Sequence, residues 1–204
     1  ILYCTISALS ALEQKGIAHE NINPTNILKQ SREVYKIHDN YLLSAHNTIY
    51  QQALKGSWTR YLAPELFDSW VQKKPVPDTY NPHKVDVFCI GMAVLDAGLL
   101  QTEGDFISKK LNVIDELRLK EKIKKFGSIY SSSLTRILED VLCLDPSRRP
   151  GPTTLFRRLP GRPVARGQTS SGKKRRLYTD TSKNSSPQVD HLFSLIYFFI
   201  EILR

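Results

Sequence analysis

Leu2, Ile6, Leu9 and Leu12 fall at helical spacing, and Gly16 follows as a natural stop. The chain therefore opens on an amphipathic helix. Short apolar runs at Ile17-Ala18, Asn26-Ile27-Leu28 and Val34-Tyr35-Lys36-Ile37, separated by polar breaks at 21–25 and 30–33, read as strands and loops. Residues 45–62 lack a clear period and read as loop. Ala63-Pro64-Glu65-Leu66 starts a helix, because proline suits a first helical turn and glutamate complements the positive end of the dipole. Pro75, Pro77 and Pro82 keep 70–83 from being helical throughout, and it reads as a surface loop. From Lys84 to Leu100 apolar residues occur on nearly all sides, which predicts a helix enclosed by other elements. A charged helix over 111–126, another over 133–144 and a short one near Thr153–Arg158 complete the pattern.

Charge alters this picture only at the end. The chain has 204 residues and a net charge of +9, yet residues 157–187 hold nine cations against the single anion Asp180. The rest, with 20 cations and 19 anions, is close to neutral. From Pro160 to Gln188 the composition is Gly-, Ser-, Thr- and Arg-rich, which predicts disorder. Leu192 to Leu203 is apolar but carries Glu201 and falls short of the roughly 20 residues a membrane-spanning helix needs. A short docking helix, an interfacial helix and an artefact of the gene end all fit it. Cys4, Cys89 and Cys143 lie far apart in apolar runs and read as small hydrophobes in a reducing compartment, cytoplasmic or nuclear. The sole methionine is Met92 and residue 1 is isoleucine, so a fragment is expected.

Four segments carry chemistry: His19-Glu20-Asn21-Ile22-Asn23-Pro24-Thr25-Asn26, Asp39-Asn40-Tyr41, Ala63-Pro64-Glu65 and Asp145-Pro146-Ser147-Arg148-Arg149-Pro150. In order and separation they resemble the C-terminal lobe of the eukaryotic protein-kinase family, in which H-R-D-x-x-x-x-N, D-F-G and A-P-E recur. Asp86, Gly91 and Arg149 also match that pattern. The resemblance implies a mainly α fold (from an α+β parent), a helical lobe with short β hairpins at the catalytic loop. It covers residues 1–158, followed by a basic linker over 159–190 and an apolar segment over 191–204. The other lobe, with its Gly-rich loop and nucleotide-gripping lysine, is not among these residues.

By the same resemblance, Asn26 and Asp39 would hold Mg²⁺ and with it ATP, a carboxamide and a carboxylate being hard ligands. ATP and Mg²⁺ are expected for the full-length protein, with poor binding to this stretch alone. Asn21 stands where the family has its catalytic aspartate, and a neutral amide cannot act as a base near neutral pH. Asn23 replaces the lysine that balances charge on the transferring phosphate. Glu20 replaces an arginine that pairs with phosphate, so phosphorylation of Thr48, Ser57 or Thr59 is not expected to switch the chain through it. Asn40 and Tyr41 in place of Phe and Gly should hinder a flip of that segment. Structural roles are implied for His19 (loop support), Glu65 with Arg149 (a buried ion pair), Asp86 (holding the loop amides) and Gly91 (close approach of a neighbour).

The expected function is a catalytically impaired, pseudokinase-like module that binds a protein substrate or partner in phosphorylation signalling. The alternatives are an active Ser/Thr kinase that tolerates Asn21 and a nuclear or nucleic-acid-associated protein acting through its tail. Lys173, Lys174, Arg175 and Arg176 fit a solvated tail, an import signal or nucleic-acid patch, or a patch for an anionic membrane surface. Without the second lobe or a partner surface, apolar positions near Leu28, Ile37 and the first helix are expected to lie uncovered, making the chain poorly soluble or oligomeric.

Overall fold

A computed structural model describes residues 1–31, 33–38, 48–56, 58–100, 107–108 and 113–159. Asp39, Asn40, Tyr41 and Ser57 lie outside them, as do the Lys173–Arg176 cluster and the apolar stretch after Leu192.

Helix α1 (Leu2–Glu13) buries Leu2, Ile6 and Leu9. It closes at Gly16, whose φ of +68° lets the Ile17 N–H turn back to the Leu12 carbonyl. Ile17-Ala18, expected as a strand, is irregular backbone leading into the loop. After a 3₁₀ turn at Pro24–Asn26, β1 (Ile27–Ser31) pairs antiparallel with β2 (Val34–Ile37), Ile27 opposite Ile37 and Leu28 opposite Lys36. Asn26 thus belongs to the turn and not to the strand.

Helix α2 (Ile49–Leu54) occupies part of the stretch expected to be loop, capped by the Thr48 hydroxyl on the Gln51 N–H. Two 3₁₀ turns, Thr59–Tyr61 and Pro64–Leu66, lead into α3 (Phe67–Val71). Helix α4 (Pro82–Leu99) starts two residues before the expected Lys84, with Asn81 capping Lys84 and Pro82 in the first turn. It is buried almost continuously from Val85 to Ala97. β3 (Ile107–Ser108) and β4 (Val113–Ile114) form a second two-stranded sheet. The helix expected from 111 therefore begins only at Glu116, where the Asp115 side chain caps α5 (Glu116–Gly127). Helices α6 (Ser132–Val141) and α7 (Pro152–Arg158) follow. The described residues are mostly helical, with two small antiparallel sheets.

One core holds these elements together. Helix α4 contacts α1, α5, α6 and α7, and α1 also lies along α7 and β2. Gly91 makes the α4–α6 crossing close: a Cβ there would sit 2.8 Å from both Leu142 Cδ2 and Val141 Cγ2. The expectation that the first helix would be uncovered fails, because its apolar face is taken up by α4 and α7. Ile37 is half-buried, while Leu28 and Ile17 remain 45% exposed. Of the cysteines, Cys89 is buried and Cys4 and Cys143 are half-buried. Among the described residues no helix is long and apolar enough to cross a membrane.

Candidate active site

The loop from His19 to Asn26 hangs on α4. Asp86, buried on that helix, accepts the His19 N–H at Oδ2 (2.7 Å) and the Glu20 N–H at Oδ1 (2.8 Å). Burial pushes the Asp86 carboxyl up to about 7, against the pull of those two N–H bonds. Ile22 drives the middle of the loop into the core, and the Asn21 N–H leans on His19 Nδ1 at 3.4 Å.

Three carboxamides then interlock. Asn23, buried, donates from Nδ2 to the Asn21 carbonyl (3.2 Å) and to Asn21 Oδ1 (3.1 Å). Its own Oδ1 accepts from the Thr25 N–H (3.0 Å) and hydroxyl (2.5 Å). Asn26 donates from Nδ2 to the same Asn21 carbonyl at 2.8 Å. That bond orients the Asn26 amide, and its carbonyl oxygen is the acceptor end a ligand can use. At Asn21 one of the two lone pairs of Oδ1 is engaged by Asn23, and the other end of the amide is an NH₂ that only donates. The structure thus brings His19, Asn21, Asn23 and Asn26 together with Asp86, while Asp39 lies outside the described residues.

A second set of contacts ties the A-P-E segment to the end of the body. Arg149 grips Glu65 with both guanidinium nitrogens, Nη1 to Oε1 at 2.7 Å and Nη2 to Oε2 at 3.1 Å. The same arginine donates to the carbonyls of Cys143 and Lys84 and lies 4.9 Å from the centre of the Phe88 ring. Every face of this buried cation is therefore occupied, as a low-dielectric position demands.

Two further contacts were not anticipated from the sequence. Asp96 on α4 accepts Arg60 Nη2 at 2.6 Å and the Tyr61 hydroxyl at 2.7 Å. Burial raises the Asp96 carboxyl to about 6 although Arg60 and Tyr61 oppose the shift, and it pushes the Tyr61 phenol up as well. Just before this pair, Trp58 is held at a left-handed φ of 59° with its ring edge-on to Tyr61. The available signal was an aspartate inside an apolar helix, which must find a partner. The second contact is at Glu20, whose φ is 58°. Its carbonyl accepts the Ile49 N–H at 2.6 Å, and its Oε1 accepts the Tyr80 hydroxyl. The loop is thereby fastened both to α2 and to the segment before α4.

Comparison with known proteins fits this geometry. The family described as the protein kinase domain is matched over residues 1–158, and the chain belongs to that family. It is similar to the serine/threonine-protein kinase KSP1 of Saccharomyces cerevisiae, with 32% identity over 92 residues, 45% of this chain and 9% of that protein. It is also similar to the serine/threonine-protein kinase nekl-2 of Caenorhabditis elegans, with 28% identity over 150 residues, 73% of this chain and 39% of that protein. The chain thus spans well under half the length of either relative.

Proposed function

We propose that residues 1–158 are the C-terminal lobe of a protein kinase-like protein whose phosphotransfer is impaired, and that it serves phosphorylation signalling as a binding module. The observation that carries this reading is the hydrogen-bond polarity at Asn21. The position calls for a base to prime the attacking hydroxyl; the Asn21 amide is neutral, one lone pair of its Oδ1 is already engaged by Asn23, and its NH₂ can only donate. General-base help is worth ~10²–10⁴-fold in rate. At Asn23 no cation offsets charge on the transferring phosphate, so both losses fall on one step.

Nucleotide binding is a separate matter from transfer. Asn26, its amide oriented by the bond to the Asn21 carbonyl, offers a carbonyl oxygen to a hard cation, and Asp39 would supply the carboxylate. Mg²⁺ held by these two residues would supply positive charge against the phosphates of ATP. The protein's own residues would bind and orient; what they lack is a proton acceptor.

The test is a phosphotransfer assay on the full-length gene product beside Asn21→Asp. We expect the natural protein to be slower by ~10²–10⁴-fold. Equal rates would overturn the reading. They would favour instead a working Ser/Thr kinase that relies on positioning, the reading to which the names of both relatives point.

A further inference from the structure

Beside the loop lies a recess that the phosphotransfer argument does not use. Glu20, Thr48, Ile49, Val76, Tyr80 and Val85 are among the residues lining a pocket of about 240 Å³. That volume suits one long side chain, being below the range of pockets for drug-sized ligands. Ile49, Val76 and Val85 make its walls largely apolar, and among the described residues Glu20 is the only charged one in the lining. Oε1 of Glu20 accepts the Tyr80 hydroxyl, and among the described residues no Lys, Arg or His pairs with Oε2. Asp86 accepts the Glu20 N–H, so a second carboxyl group lies behind the Glu20 backbone.

The carboxylate is also held in place. Its residue is fixed at a left-handed φ by bonds from its N–H to Asp86 and from the Ile49 N–H to its carbonyl. A non-glycine residue kept in that conformation is a mark of a position with a task. Among the described residues this carboxylate has no counter-ion, and a single cation entering the pocket would supply one.

We propose that this pocket binds the cationic end of a lysine or arginine side chain presented by a peptide. Glu20 Oε2 receives the ammonium or guanidinium. The aliphatic stem lies along Ile49, Val76 and Val85, and the Tyr80 ring adds contact to the cation or its stem. The occupant is a lysine- or arginine-bearing peptide of another protein; occupancy by the chain's own Lys173–Arg176 cluster is the other outcome, and the experiment separates the two. This binding is independent of whether the loop transfers phosphate.

The probe is a fluorescein-labelled peptide of residues 172–177, read by anisotropy against the full 204-residue chain. Its control carries norleucine and citrulline in place of lysine and arginine. Because the chain outside residues 157–187 is close to neutral, the uncharged control and the Glu20 variant, not net charge, report specificity. Saturable binding of the charged peptide is expected, with none of the control. Glu20→Gln, which still accepts the Tyr80 hydroxyl, should weaken it about 10-fold or more. Tyr80→Phe should retain it, since Oε1 is released. If the chain's own cluster is the occupant, replacing Lys173, Lys174, Arg175 and Arg176 by alanine tightens probe binding; if a foreign peptide is, that variant binds as the natural chain does. The proposal fails if neither the natural nor the cluster-neutralised chain binds saturably, or if Glu20→Gln binds undiminished. Should Glu20→Gln not fold, Val76→Arg fills the pocket with an internal guanidinium, and unchanged probe binding by that variant is equally fatal.

Discussion

Asp86 shows how one side chain couples the loop to folding. Its carboxyl goes from an ordinary 3.8 to about 7 on burial, so the folded chain holds a proton that the unfolded chain has lost between those values. The Asp86 contribution to stability therefore declines as pH rises through that window and is constant above it. Asp86→Asn has no such proton and leaves one of the two N–H groups without an acceptor, at a cost of about 1–3 kcal/mol. Thermal unfolding of both proteins should show the advantage of the natural chain shrinking from about pH 4 to about pH 7. A constant difference would mean that the group is ionised throughout. The residue identities at His19, Asn21, Asn23 and Asn26 were legible because family spacing marks them. What was not legible was the direction of each amide, which depends on Thr25 and on the fold of the turn. Arg60, Tyr61 and Tyr80 were missed because their partners, Asp96 and Glu20, lie 35 to 60 residues away.

Where a period spans several turns, the sequence reports the element well. Helices α1 and α6 repeat apolar residues along one face, α4 carries them on nearly all sides, and burial follows each pattern. Helix α2 is six residues long and too short to show a period, so its only local sign is Thr48 three residues before the amide it caps. The start of α5 was misplaced because Val113 and Ile114 extend its apolar pattern while being paired in a strand, and Asp115 is the true boundary. Joining these elements is a different matter from forming them, and Glu65 with Arg149 is the join most open to measurement. Glu65→Ala strands a fully buried guanidinium and should cost about 3–5 kcal/mol in urea unfolding. Arg149→Met also forfeits the Cys143 and Lys84 carbonyl bonds and the Phe88 stacking. The double variant should lose clearly less than the sum of the two. Strict additivity would show that the pair is not coupled.

The single core sets the last expectation. Helix α4 supplies Asp86 to the loop, Asp96 to the Arg60–Tyr61 turn, Gly91 to the α6 crossing and the Lys84 carbonyl to Arg149. It cannot open by itself: its residues are buried against α1, α5, α6 and α7 at once. Helix α5 is built differently, with Leu119, Ile123 and Phe126 on one face and charged residues on the other. Local opening is favoured where few buried contacts hold an element, so α5 should exchange its amides by partial unfolding and α4 only with the whole body. Hydrogen exchange by mass spectrometry, run across a urea series, should give peptides covering 85–97 an opening free energy equal to that of global unfolding. Peptides covering 116–127 should open at lower free energy. If α4 exchanges while α1 and α7 stay protected, the central helix is not the frame of the site, and the loop's geometry must then be set by β1 and β2.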